Sequence, residues 1–311
     1  MLTKFRGEIY LFFGALFFAF NGIISKIVLI DGPSAWRLTQ IRTGGAFVIL
    51  ILFHLAFRRQ ELKTTKSELP WLIAFGVVGV AFVQAFYFVA IERMYVGVAL
   101  LIEFTAPIWI LLFLRFVLKK HVPNGLWYAI ILSFSGLLLI TQVWNGLSLD
   151  RLGLIAALVD ALSLAGYFLI GDRLGRTKTS GAITTWGFGV TSLILLFALP
   201  LWTFPTEIFT KQMRLLGRFD GYTLPGWVLI LWIVTMGTVL PYLCVVSGLK
   251  ILSASTASIF GMIEPVLAGI FAWWWLGERL GFIQLLGCFV VLAGILIADR
   301  TKQKAEDVND I

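Results

Sequence analysis

Charge is scarce in this chain. Of its 311 residues only 14% are Asp, Glu, Lys or Arg, against about 25% in an ordinary soluble domain, which excludes a water-soluble enzyme. Cysteine and histidine are nearly absent, with two of each. Cys244 and Cys288 lie within apolar runs, His54 near the end of one and His121 in a connector. This arrangement supports neither a disulfide framework nor a Cys/His metal site. No GxxxxGK[ST] loop appears, so the sequence carries no sign of nucleotide-driven pumping by this chain alone. Neither histidine falls mid-run and no Ser/His or paired-Asp constellation is visible, so an intramembrane enzyme fares poorly too. No cofactor and no metal are implied.

What is abundant is apolar. Hydrophobic residues make up 59% of the chain and the mean hydropathy is +0.93. About 20 apolar residues make one spanning helix. Runs bounded by Gly, Pro or charge predict ten, near 8–30, 34–57, 70–91, 96–118, 124–142, 152–172, 181–202, 226–248, 254–276 and 282–299. These runs lack the ten-residue alternation of barrel strands, so the expected fold class is an all-α membrane protein. The first run is too long for a signal-peptide core and no small-residue cleavage site follows it, so it reads as the first span.

The formal charge of +8 comes from Lys and Arg in short connectors rather than on one helix face, which fits orientation in a bilayer and not nucleic-acid binding. Alternate connections hold fifteen basic residues on one side, among them Arg58, Lys63, Lys120, Arg173, Lys178 and Lys250, and six on the other. By the positive-inside rule both termini are expected in the cytoplasm of a multi-pass cell-membrane protein. The long outer connection, 203–225, is interrupted by Pro205, Gly217, Gly221 and Pro225 and is expected to be a short surface segment.

The second half weakly repeats the first. A displacement of 158 residues lays Gly79 on Gly237, Ala99 on Ala257, Pro107 on Pro265 and Gly136 on Gly294. Nearer the start, a displacement of 146 lays Gly7 on Gly153, Ala15 on Ala161 and Asn21 on Tyr167. The expected domains are residues 1–150 and 151–311, each with five spans. Because five is odd, the second half enters the membrane from the opposite face. Two inverted five-helix repeats around a central cavity are the architecture of alternating access.

The stretch from Ser253 to Ile297 has a small-residue helix start, the Glu264-Pro265 pair, a Gly277-Glu278-Arg279-Leu280 turn and a final helix carrying Gly287 and Gly294. In these features the chain resembles the EamA-type transporters of the drug/metabolite transporter superfamily. The first half is less similar: Pro107 is present, but Lys119-Lys120-His121 replaces the Gly-Glu-Arg turn. Arg42 stands where the family often has an Arg in its second helix. The resemblance implies ten helices, two repeats, a central cavity and carriage of small organic solutes, commonly by export.

A charge at mid-membrane costs a few kcal/mol even on the lenient insertion scale, so it needs a partner or water. Four such residues fall in the outer half or centre of their spans: Arg42, Glu103, Asp160 and Glu264. Either Arg42 holds a substrate carboxylate or it pairs with Glu103 or Asp160, while Glu264 receives a substrate amine or a coupling proton. The competing reading is a set of interhelical ion pairs that fix packing. Lys26, Arg37 and Arg115 lie close to span ends, where long side chains snorkel. Asn21, Tyr167, Gln84 and Tyr87 are further candidates for orienting a substrate, with interhelical hydrogen bonds as the alternative. Pro107 and Pro265 lie inside their spans and read as kinks or gate hinges. One side chain of Trp273-Trp274-Trp275 could reach inward to a solute.

The expected function is a secondary active transporter exporting a small polar or amphipathic metabolite, amino-acid-like or related. Import is the nearest alternative, because symmetric halves do not fix direction, and a lipid-handling protein without transport is a third. The expected partners are a small-molecule substrate, the lipid bilayer and a coupling proton. A monomer and a homodimer are both compatible.

Overall fold

A computed structural model of the protein describes residues 5–94, 96–145, 150–277 and 281–309. Among them, ten helices are long and apolar enough to cross a membrane: α1 (Arg6–Ile30), α2 (Ala35–Phe57), α3 (Leu69–Arg93), α4 (Val98–Val117), α5 (Asn124–Thr141), α6 (Arg151–Gly175), α7 (Ser180–Ala198), α8 (Gly226–Leu249), α9 (Ala254–Leu276) and α10 (Phe282–Thr301). The boundaries follow the hydropathy pattern to within a few residues. The clearest departure is the end of α7. It stops at Ala198 rather than at Trp202, because Pro200 has no N–H to continue the helix, and Leu201–Thr203 forms a separate 3₁₀ turn.

Helix starts obey local chemistry. Ser34, Asp150, Thr179 and Ser253 precede α2, α6, α7 and α9, and each side chain accepts from a backbone N–H three residues on, those of Arg37, Gly153, Ala182 and Thr256. Each cap satisfies a donor that lipid could not.

The connection 203–225 is more ordered than its sequence suggests. It contains a two-stranded antiparallel ribbon, β1 (Gln212–Arg214) and β2 (Thr223–Pro225), with Met213 opposite Leu224. Ile208 and Met213 are buried with Ile24, Val28, Leu229 and Ile233. The segment is therefore a packed cap over the ends of α1 and α8. Arg37, expected to snorkel, instead ties α2 to this region. Its guanidinium donates to the Gln40 side chain at 2.7 Å, to the Pro200 carbonyl at 3.1 Å and to the Thr203 hydroxyl.

The helix pairings have a regular scheme. α1 packs on α8 and α9, α6 on α3 and α4, α2 on α7, and α5 on α10. Exchanging each helix with the one five places away maps this set onto itself. The scheme extends to single residues. A Cβ on Gly136 would meet the Val291 nitrogen at 2.6 Å and the Gly287 carbonyl at 2.7 Å, and one on Gly294 would meet the Ser133 nitrogen and the Ala129 carbonyl, both at 2.8 Å. Under the 158-residue displacement Ser133 falls on Val291 and Ala129 on Gly287. Likewise Gly7 abuts Leu252 and Ile251, while Gly153 abuts Met94 and Arg93. The glycines let α5 and α10 approach at backbone distance, the contact that lipid-embedded helices use in place of a hydrophobic drive.

Four helices are irregular in matching places. π-helical turns widen α3 at Phe75–Phe82 and α8 at Thr235–Val239, and α4 at Phe113–Val117 and α9 at Ala272–Leu276. In addition α4 is interrupted after Glu103 and resumes at Ala106, and α9 is interrupted after Gly261 and resumes at Glu264. Both prolines stand inside their spans, and each follows one of these breaks. Pro107 and Pro265 lie in the first turn of a resumed segment, where a missing N–H is tolerated, and not inside an unbroken helix.

Candidate functional site

The two interruptions face a common space. A cavity of about 190 Å³ lies between α1, α3, α4, α6, α8 and α9, and its walls include Glu103, Phe104 and Pro107 from α4 and Ser258, Gly261 and Glu264 from α9. Each break sets a carboxyl at a helix end. Glu264 is the first residue of a resumed segment, where the helix dipole favours negative charge, whereas Glu103 ends its segment, where it does not.

Aromatic rings complete the wall. Tyr167 of α6 and Tyr242 of α8 cross at 6.0 Å and 90°. Phe18 of α1 lies edge-on to Tyr242 at 5.2 Å, and Phe188 of α7 backs the same ring at 4.8 Å. Tyr167 stacks on Phe75 at 5.1 Å, so its ring is held firmly while its buried hydroxyl has no hydrogen-bond partner.

Several other polar groups around this space are also unsatisfied. Asp160 is 1% exposed and neither carboxyl oxygen has a partner; it lies in the field of Glu103. Gln84 faces the Tyr242 hydroxyl, yet its amide nitrogen and oxygen make no hydrogen bond of good geometry. Tyr87 lies in the combined field of Glu103, Glu264 and Asp160. Buried polar groups are nearly always paired with protein or water, so this concentration marks the region as something other than packed core.

Among the described residues, Arg42 is the guanidinium whose charge acts on Glu264. It pairs with neither Glu103 nor Asp160. Its Nε donates to Thr238 Oγ1 at 3.1 Å and an Nη to the Gly237 carbonyl at 3.5 Å, while Glu264 and Tyr242 lie within its electrostatic reach. The seat lies in the π turn of α8: Pro241, four residues on from Gly237, has no N–H to offer, which leaves the Gly237 carbonyl without its usual helical donor and accessible to α2, while Thr238 Oγ1 donates to Ile233 five residues back. Asn21 packs on the same turn, and a Cβ on Gly237 would stand 2.1 Å from its Oδ1. In the other half, a Cβ on Gly79 would stand 3.1 Å from the Tyr167 Cα.

Of the residues singled out from sequence, Glu103, Glu264, Tyr167 and Pro107 border the cavity. Arg42, Asp160, Asn21, Gln84, Tyr87 and Pro265 do not border it. The Glu278-Arg279 pair and Leu280 lie outside the described residues. Trp275 turns inward, but toward the outer connection, where its Nε1 donates to the Leu215 carbonyl at 2.8 Å. Sequence reasoning missed Tyr242, Phe18 and Ser258. Tyr242 was within reach of it, because the 158-residue displacement lays Gln84 on Tyr242. Among the described residues no three His, Cys, Asp or Glu side chains come together as a metal site.

One face of the bundle carries a polar latch. The segment after α2 meets the turn between α6 and α7, with Lys178 Nζ 3.0 Å from Glu68 Oε2 and also donating to the Lys63 carbonyl. Thr179 donates to the Glu61 carboxylate, and the Arg173 guanidinium lies 4.0 Å above the Trp71 ring. The Thr65 backbone N–H and Lys178 together hold the Glu68 carboxyl down to about 2. The Thr179 hydroxyl does the same, in direction, for Glu61.

Ten apolar helices around a cavity lined by two acidic side chains, Glu103 and Glu264, define a membrane protein with room for a polar guest. The sequence profile described as the EamA-like transporter family matches residues 5–142 and again 151–298. The chain belongs to the EamA-like transporter family, and so is a transporter and not an enzyme. It is similar to an uncharacterized transporter of Clostridium kluyveri, 24% identical over 98% of this chain and 97% of that one. An uncharacterized transporter of Archaeoglobus fulgidus is 26% identical over 90% and 92%. The threonine/homoserine exporter RhtA of Escherichia coli is 25% identical over 92% of this chain and 88% of its own. A solved crystal structure matches with a TM-score of 0.77 at 14% identity, over 96% of this chain and 98% of that one, a likeness of fold.

Proposed function

We propose that the protein is a secondary active transporter that exports a small polar or amphipathic metabolite by alternating access, with residues 1–150 and 151–311 as inverted repeats. The observation that carries this reading is a membrane-embedded cavity that presents Glu103, Glu264 and the unpartnered Tyr167 hydroxyl, with two further unpartnered groups, Asp160 and Gln84, on the helices that form it but off its wall. Such groups gain partners when a polar solute or water enters. The inverted repeat is supported by the pairing scheme, unchanged when the halves are exchanged, and by the family profile matching twice. Export is supported by the likeness to RhtA.

The fifteen-to-six excess of basic residues supports a cytoplasmic position for the latch-bearing face and both termini. On this reading Glu103 and Glu264 contact the solute, and Asp160, in the field of Glu103, is the seat of a coupling proton. Arg42 sets the field at Glu264 and anchors the irregular turn of α8. Pro107 and Pro265 mark the joints at which α4 and α9 flex. The test is uptake into proteoliposomes from a panel of amino acids, amines and sugar phosphates, with and without a pH gradient. Arg42→Ala and Glu264→Gln are each expected to abolish counterflow while leaving membrane insertion intact. Normal counterflow in both variants contradicts the site assignment.

A further inference from the structure

The cavity wall is charged with one sign only. Among the described residues it presents two carboxyls, Glu103 and Glu264, and no Lys, Arg or His. The third carboxyl of the region, that of Asp160, lies in the field of Glu103 with both oxygens unpartnered. The guanidinium that could receive a carboxylate, that of Arg42, is committed to Thr238 and Gly237 and does not border the space. The remaining wall is aromatic and aliphatic, with Phe18, Phe104, Tyr167, Phe168 and Tyr242 supplying π faces that attract cations as well as apolar groups.

From this we infer that the cavity takes a primary ammonium group carried on a compact apolar or aromatic body, held between Glu103 and Glu264, and that it makes no provision for a carboxylate on the same solute. The inference rests on the transporter reading above and narrows its substrate class. An ammonium has three donors, which the two carboxylates and the Ser258 hydroxyl at the wall are able to accept. A carboxylate in the same space would face two acidic side chains and lose its hydration with no cationic side chain at the wall to replace it. Size agrees. An engineered apolar cavity of about 150 Å³ holds benzene, so about 190 Å³ admits a phenyl ring with a short aminoalkyl arm.

Three solutes with one common body separate the possibilities: 2-phenylethylamine carries the ammonium alone, phenylalanine both charges and 3-phenylpropionate the carboxylate alone. Equilibrium binding of radiolabelled 2-phenylethylamine to the purified full chain is measured, with the other two as competitors. The amine is expected to bind, phenylalanine to compete at least tenfold more weakly than unlabelled amine, and 3-phenylpropionate not to compete. Glu103→Gln and Glu264→Gln are each expected to weaken amine binding at least tenfold. Because a variant could fail to fold, the melting temperature of the wild-type chain gives a second readout: it should rise with 2-phenylethylamine and stay unchanged with 3-phenylpropionate. Phenylalanine binding as tightly as the amine overturns the substrate class. So does a melting temperature raised by the carboxylate. Counterflow of free amino acids without amine binding would overturn this inference and leave the transporter reading standing, whereas no counterflow of any solute in the wider panel would remove that reading too.

Discussion

Gly237 shows how much a single atom decides here. Its missing Cβ lets Asn21 of α1 and the guanidinium of Arg42 meet the same widened turn of α8. Gly237→Ala would bring a methyl to 2.1 Å from Asn21 Oδ1, and overpacking of this kind costs about 1–3 kcal/mol. The expected outcome is a lower melting temperature and counterflow below roughly a tenth of wild type, with stability recovered in the Gly237→Ala/Asn21→Ala double variant. An unchanged melting temperature and rate in Gly237→Ala would contradict the close approach. The charged members of the site were legible in the sequence for a plain reason: a carboxyl or guanidinium inside an apolar run of about 20 residues is costly and stands out. Phe18 was not, because in a chain that is 15% aromatic a further ring carries no signal, and Tyr242 is reached only through the repeat that lays Gln84 on it. Nor could the sequence show that Arg42 turns toward Thr238 and away from Glu103 and Asp160, since that depends on a carbonyl exposed by an irregular helix.

Among the elements, the ten spans were legible from length and hydropathy, because a bilayer demands continuous apolar helices. Their irregularities were less so. Pro107 and Pro265 signalled a disturbance, but no residue type marks the π turns, which arise where packing between helices overrides the regular hydrogen-bond ladder. The ribbon in 203–225 was hidden for a similar reason, since the burial of Ile208 and Met213 is tertiary. The segment that follows α2 makes the clearest pH prediction. Glu68 titrates at about 2 in the folded chain against an ordinary value of 4.5. A depressed carboxyl stabilises the fold above its unfolded value and loses that contribution as pH falls toward the folded one. The melting temperature of Glu68→Gln should therefore lie below that of wild type by a constant margin across roughly pH 5–8, and the margin should shrink between 4.5 and about 2. A margin that instead vanishes near neutral pH would show that the Thr65 and Lys178 contacts do not hold the carboxylate.

On the scale of the whole molecule, two halves contribute matching parts to one cavity, and the parts pair across the halves rather than within them. α1 lies against α8 and α9 as α6 lies against α3 and α4. A rearrangement that exchanges the environments of the halves would move the joints in α4 and α9 together and would have to open the latch formed by Glu61, Glu68, Lys178 and Thr179. The repeat itself was readable from matched Gly and Pro, while the reciprocal contacts that give it mechanical meaning needed the packed structure. The most direct test of this account bridges the latch. With Cys244 and Cys288 replaced by serine, Glu68→Cys and Lys178→Cys are joined by a short reducible bifunctional reagent, and counterflow is measured in proteoliposomes before and after reduction. The account expects counterflow to stop in the bridged protein and to return to the unbridged rate on reduction; undiminished counterflow in fully bridged protein would contradict it.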